Sequence, residues 1–334
     1  AAFKSIQMSR SLKALRSNAL ASLRVHGPDQ KGIVAACSHV LDKFGCGIVQ
    51  SETWTDRFDH LFFQRMLFDC GHIGGDNAAG ISSGSGSGSG NGNTNGNIGD
   101  NLIQSEQILQ MNDEIKQLKN RFGLHSMKIN WRTQPKKIAV FVSKYDHCLW
   151  EILLRHQARE LDCDIKVVIS NHPTLRPIAE TFGIPFQCFP IKPENKLEQE
   201  KEEIKLLNEL DVELIVLARY MQVLSNQFLG SFSYDQIINI HHSFLPAFIG
   251  RCPYHQAHKR GVKLIGATAH YVTEELDEGP IIDQHVIEVT HRDEPADLMR
   301  KGGIIERNVL ANAVRAHLDD RIIPYKNKCV VFAE

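Results

Sequence analysis

Three polar side chains, Asn239, His241 and Asp277, have the types and spacing to handle a reacting carbonyl group. Asn239 and His241 stand two apart in Ile237-Ile238-Asn239-Ile240-His241, an apolar run that reads as a strand, so alternation puts both on one side. Each offers a hydrogen-bond donor, which suits an oxygen that gains charge in a tetrahedral intermediate. Asp277 lies in the turn Leu276-Asp277-Glu278-Gly279-Pro280. Its apolar neighbours Leu276, Ile281 and Ile282 are expected to raise its pKa and equip it to move protons or orient water. No side chain is set up as a nucleophile, since Ser243 lacks the Gly-x-Ser-x-Gly elbow. The plainer alternative stands beside this one: an Asn before a His is also a common strand-end hydrogen bonder, and an acidic turn is commonly solvated.

The elements that would position these groups form an alternating series. Strands are expected at 137–142, 164–170, 186–189, 212–217 and 237–240, with helices at 149–160, 175–182 and 198–210 between them. This rhythm predicts an α/β, doubly wound, mostly parallel Rossmann-like sheet. Substrates of such sheets sit at the carboxyl ends of the strands, where Asn239 and His241 would point. Two adjacent strands at 264–272 and 280–289 flank the Asp277 turn, and a helix at 295–318 and a strand at 329–332 close the domain.

Upstream, Gln134-Pro135 marks a boundary between a domain at 19–133 and one at 136–334. The first domain reads strand (20–25), helix, strand (48–55), strand (61–69), helix (103–122), strand (127–132), which is the ferredoxin-like βαββαβ order. Asp29 is expected to cap the first helix and Gly45 to end it in a left-handed turn. Between the third strand and the second helix, residues 74–101 are nearly all Gly, Ser and Asn, a composition that buries nothing and is expected to be disordered. Residues 1–28 contain no Asp or Glu, while Lys4, Arg10, Lys13, Arg16 and Arg24 alternate with Ser, Leu and Ala. Residues 1–18 thus have the composition of a mitochondrial transit peptide and equally of a basic chain terminus.

Composition excludes several classes. A formal net charge of -1 lacks the basic excess of a nucleic-acid binder, and no apolar run approaches the roughly 20 residues of a membrane span. The eight cysteines contain no C-x-x-C pair, so reduced thiols in an intracellular protein are expected. None of the sixteen histidines forms an H-E-x-x-H or H-x-x-x-H pair, and no metal is expected.

Asn239-Ile240-His241 with Ser243-Phe244-Leu245-Pro246, followed by Leu276-Asp277-Glu278-Gly279-Pro280, resembles the signature of the folate-dependent formyltransferases over 137–332. The resemblance implies that Asn239, His241 and Asp277 handle the formyl group of 10-formyltetrahydrofolate, with His270 close to Asp277. It implies substrate contacts at Tyr220, Met221, Gln222, Leu224 and Thr273, and at Lys144 and His147. Members that formylate glycinamide ribonucleotide carry a Gly-Ser-rich loop after the first strand to cradle a phosphate. Here that loop is Ser143-Lys144-Tyr145-Asp146-His147-Cys148-Leu149, without glycine.

The N-terminal domain resembles an ACT domain, with Pro28, Asp29, Gly32 and Ile33 in the loop that takes an amino-acid effector such as glycine or methionine. ACT domains pair across subunits, so a homo-oligomer is expected. The two domains together, with Ala218-Arg219-Tyr220-Met221-Gln222-Val223-Leu224 and residues 241–250, are similar to the formyltetrahydrofolate deformylases. That resemblance implies hydrolysis of 10-formyltetrahydrofolate to tetrahydrofolate and formate for one-carbon and purine metabolism, with no tightly bound cofactor. The rival readings are a formyltransferase with a small amine acceptor and a folate- or amino-acid-binding regulator without turnover. Two departures from the pattern are Gly250-Arg251-Cys252 and Gly303-Ile304, the second expected to bear on packing more than on chemistry.

Overall fold

The computed structural model describes residues 20–70, 106–132, 134–247 and 253–333. The 1–18 segment, the 74–101 insert and the Gly250-Arg251-Cys252 departure lie outside the described residues. The chain divides into two compact units, 1–134 and 135–334.

The first unit runs β1 (Leu20–Pro28), α1 (Ile33–Lys43), β2 (Gly47–Asp56), β3 (Leu61–Asp69), α2 (Glu106–Arg121) and β4 (Ser126–Trp131). Its sheet has the order β2-β3-β1-β4, with every pairing antiparallel, the ferredoxin-like arrangement expected from the element series. Leu23 and Val25 of β1 pack with Ile33, Cys37 and Leu41 of α1 and Ile108, Met111 and Ile115 of α2. These helix spacings of three and four keep one apolar stripe on the sheet. Gly45 takes φ 68° and ends α1, as expected. The start of α1 differs: Gly32, at φ 95°, is the N-cap, and Asp29 does not cap the helix. Instead the Asp29 N–H donates to the His60 carbonyl at 3.0 Å.

The second unit runs β5 (Lys136–Val142), α3 (His147–Gln157), β6 (Cys163–Ser170), α4 (Arg176–Thr181), β7 (Phe186–Cys188), α5 (Lys196–Glu209), β8 (Leu214–Leu217), α6 (Asn226–Leu229), β9 (Ile237–His241), α7 (Pro253–Arg260), β10 (Leu264–Tyr271), β11 (Ile281–Glu288), α8 (Pro295–Leu318), β12 (Ile322–Tyr325) and β13 (Lys328–Val331). Its seven-stranded sheet has the order β11-β10-β9-β8-β5-β6-β7. Strands β5 to β9 are parallel, and β10 and β11 continue the sheet antiparallel. The sheet is covered on both faces. Ile138, Val140 and Val142 of β5 pack on the side of α3 and α8, and Ala139 and Phe141 on the side of Leu207, Tyr220 and Phe228. Two-sided burial is why these strands read as continuous apolar runs. The terminal strand at 328–331 does not join this sheet; it pairs with β12, which the sequence reading missed, in a separate ribbon.

The chain builds outward from β5 to β6 and β7, then returns to build β8 and β9 on the other side. The β5/β8 neighbours are therefore the switch point, and their carboxyl ends open the crevice where α/β sheets bind ligands.

Candidate active site

The β9 strand ends at that crevice edge with Asn239 half-buried and His241 buried. The antiparallel β9/β10 register sets His270 directly opposite Asn239. The Asn239 Nδ2 lies 3.2 Å from His270 Nε2, and His270 Nδ1 lies 2.8 Å from the Tyr271 carbonyl. A carbonyl can only accept, so Nδ1 carries the proton and Nε2 accepts from the Asn239 amide. Burial lowers the His270 pKa, which keeps this neutral tautomer. The amide of Asn239 is thereby oriented, with its second N–H left for another acceptor.

Asp277 reaches the same place through a tight turn. It adopts φ 59°, a left-handed geometry that Asp tolerates. Gly279 then passes so close to β10 that a Cβ would run into the Tyr271 carbonyl and come within 3.3 Å of His270 Nδ1. We therefore expect Gly279→Ala to cost about 1–3 kcal/mol, as overpacking does. Thermal unfolding of the variant beside the unchanged chain checks this.

The Asp277 carboxylate lies 3.2 Å from His241 Nδ1 and 3.8 Å from His270 Nε2. Its pKa is lowered, opposite to the expectation from its sequence neighbours. Burial does push it up, but the hydrogen bond and charge of His241, with smaller contributions from His270 and His242, outweigh that. Leu276, counted as an apolar neighbour, turns out to solvent at 61% exposure. The imidazole of His241 is held by one ring nitrogen, and its buried Nε2 has no hydrogen-bond partner. A hydrogen-bonding amide, an imidazole with one unused nitrogen and an ionised carboxylate thus share one strand edge. That set can polarise a carbonyl, activate water and carry a proton.

The structure brings Asn239, His241, His270 and Asp277 together, and distributes the other expected contacts differently. Met221 and Gln222 lie at the crevice, Met221 exposed and Gln222 half-buried, and the Met221 N–H donates to Ser143 Oγ across the β5/β8 switch point. Tyr220 and Leu224 are buried in the core, Tyr220 edge-on to Phe141 with ring centroids 5.2 Å apart, so only their backbone is available to a ligand. Thr273 spends its hydroxyl on the Glu275 carbonyl at 3.1 Å. Lys144 is exposed on the loop after β5.

His147 is committed to a buried network that the sequence reading did not assemble. Its Nε2 lies 2.8 Å from Glu306 of α8. Glu306 also accepts from the Tyr254 hydroxyl and lies 3.3 Å from the Arg219 guanidinium. Arg219 in turn sits 4.8 Å from the centroid of the Tyr145 ring. Burial pushes the Glu306 pKa up, but His147, Arg219 and Tyr254 together bring it down to about 2. Gly302 leaves room for the Tyr254 ring, and Gly303 faces the His147 imidazole, so this glycine pair bears on how the β5 loop is held. His147, Cys148 and Glu306 place possible metal-ligand atoms within 4.8 Å of one another. The adjacent guanidinium and a Cys148 thiol kept protonated by burial make it an ion-pair lock in character. The signal for this network was a glutamate at a core-facing helix position, legible only after α8 is placed.

Comparison with known proteins bears on the whole chain. The formyl transferase family pattern matches residues 136–314. A formyltetrahydrofolate deformylase of Synechocystis sp. is 43% identical over 95% of this chain and 99% of its own length. The crystal structure of a formyltetrahydrofolate deformylase from Pseudomonas syringae pv. tomato superposes with a TM-score of 0.81 at 36% identity, over 98% of this chain and 99% of that one. A glycinamide ribonucleotide transformylase from Symbiobacterium toebii superposes with a TM-score of 0.56 at 28% identity, over 60% of this chain and 95% of its own.

Proposed function

Because the chain belongs to the formyltetrahydrofolate deformylase family, we propose that the edge formed by Asn239, His241 and Asp277 is where it hydrolyses 10-formyltetrahydrofolate to tetrahydrofolate and formate. The observation that carries the assignment is the ionised Asp277 beside His241, with the Asn239 amide oriented by neutral His270. Asp277 takes a proton from a water molecule whose oxygen attacks the formyl carbon. The carbonyl oxygen becomes an oxyanion that receives hydrogen bonds from the free Asn239 N–H and from His241. When the intermediate collapses, the C–N10 bond breaks and Asp277 returns the proton to N10. The carbon fragment leaves as formic acid and gives its proton to solvent as formate, and tetrahydrofolate keeps the proton that Asp277 returned.

Water as the acceptor is favoured over an amine by the extent of the likeness. Deformylases match both units of this chain, whereas the transformylase covers 60% of it. The loop after β5 carries no glycine and is tied down by His147 and Tyr145. The purified protein with 10-formyltetrahydrofolate in water alone should release formate stoichiometrically with tetrahydrofolate. Formate release that requires an added amine, or a formylated amine as the product, would establish the transferase reading instead.

The N-terminal unit we read as an ACT-type regulatory domain whose turn at Pro28, Asp29, Gly32 and Ile33 takes an amino-acid effector, glycine or methionine. Its support is the ferredoxin-like order and the left-handed Gly32 that shapes the turn. Pairing of such units would make the enzyme a homo-oligomer. No helix among the described residues is long and apolar enough to cross a membrane.

A further inference from the structure

Helix α5 carries two carboxylates that the chemistry above does not use. Glu200 and Glu203, one turn apart, are 2% and 0% exposed. Burying two acids costs free energy unless their charge and hydrogen-bonding capacity are met. Both are aimed at residues 220–225, the segment that leaves β8 along the crevice. The Tyr220 hydroxyl donates to Glu203 Oε1 at 3.3 Å, and the Ser225 N–H donates to Glu200 Oε1 at 3.1 Å. Lys196, one turn earlier on α5, lies 3.9 Å from Glu200 and donates to the Val223 carbonyl. Three side chains on one face of α5 therefore grip the segment at Tyr220, Val223 and Ser225. From the other side Ser143 holds the Met221 N–H.

We propose that Glu200 and Glu203 are positioning residues: through Tyr220 and the Ser225 N–H they hold residues 220–225 in the shape that receives the folate. This rests on the reading that this segment binds the folate. Each acid has its other oxygen, Oε2, buried without a hydrogen-bond partner, so a second negative charge there has no donor to stabilise it. Among the described residues, the charged and polar groups that meet the pair are Lys196 on the same helix and, from the segment, the Tyr220 hydroxyl and the Ser225 N–H. Burial, and then the charge of Glu200, raise the Glu203 pKa to about 8, against a smaller lowering from the Tyr220 hydrogen bond. At neutral pH Glu203 therefore keeps its proton. Above about pH 8 that proton leaves, and Glu203 becomes a buried anion whose Oε2 has no donor.

The sign for stability follows from the raised value. Glu203 in the unfolded chain titrates near the ordinary carboxylate value, so its contribution is fully present below that value, is lost progressively as pH rises to about 8, and is level above it. For binding, the same linkage makes KM for 10-formyltetrahydrofolate rise by up to about tenfold per pH unit above that point, with kcat flat. The experiment measures KM and kcat from about pH 7 to 9.5, and Tm from about pH 5 to 9.5, for the wild-type enzyme, Glu203→Gln and Glu203→Leu. Glutamine keeps the shape and an acceptor for Tyr220 but has no proton to lose, so its KM and Tm should stay flat through pH 8. Leucine removes the acceptor and should raise KM at every pH. A Glu203→Gln enzyme that reproduces the wild-type rise in KM overturns the proposal, as does a wild-type enzyme flat in both KM and Tm. If Tm falls with pH and glutamine abolishes the fall while KM is flat in both proteins, the acid pair is real and the folate lies elsewhere. That result overturns the folate reading of the segment and the positioning role with it.

Discussion

Asp277→Asn is expected to lower kcat by about 10²–10⁴, the range for removing a positioned general acid–base group, with folate binding retained. The substitution is a clean one. Asn accepts the left-handed backbone at φ 59° about as well as Asp, and its amide oxygen can still accept from His241 Nδ1, 3.2 Å away in the native enzyme. What disappears is the negative charge and the ability to hold the water's proton. Wild-type pH dependence gives an independent check. The Asp277 pKa is lowered, because His241 and the other two histidines outweigh the effect of burial. A carboxylate with a depressed folded pKa contributes stability above its unfolded pKa and loses it as pH falls through the folded one. The acid limb of kcat/KM due to Asp277 should accordingly lie below the ordinary carboxylate range and be absent in Asp277→Asn. Near-normal formate release from that variant with folate still bound would remove Asp277 from the chemistry.

Asn239→Ala is expected to lower kcat by about 10²–10³ with KM little changed, as when one oxyanion donor is deleted. The half-buried amide gives one N–H to His270 Nε2 and has its other available to the reacting oxygen. Removing it also strands the His270 Nε2 lone pair, so a modest loss of Tm accompanies the loss of rate. The distribution between the two kinetic constants is the decisive reading. An interaction made in the transition state appears in kcat, whereas one made equally with bound substrate appears in KM. A loss confined to KM would make Asn239 a substrate anchor and leave the oxyanion to His241 alone.

Much of the scaffold was legible because its signals are local. Ile237-Ile238-Asn239-Ile240-His241 reads as a strand and is β9. The 295–318 periodicity matches α8 from end to end. The four strands of the N-terminal unit were found in their order. Short elements were lost: α6 has four residues, and β12 contains Pro324, a residue that argues against a strand until an edge position is known. The expected cap at Asp29 failed because the chain continues as strand to Pro28 and turns through Gly32.

For the site, residue types and spacing in the sequence determined that an amide and an imidazole share one side of β9, since two-residue alternation leaves no other choice. They also supplied the Asp277 turn and the motif pair that marks the family. Only the tertiary structure decided the state of those groups. The sequence neighbours of Asp277 are apolar, but its neighbours in space are His241, His270 and His242, so its pKa moves down. Antiparallel pairing of β10 with β9 put His270 beside Asn239 and chose its tautomer. Packing likewise turned Tyr220, Leu224 and His147 into supports behind the crevice, and brought Glu200, Glu203 and Glu306 inside. Periodicity assigns a side chain to a face, but charge and protonation depend on distances through space between residues remote in the chain.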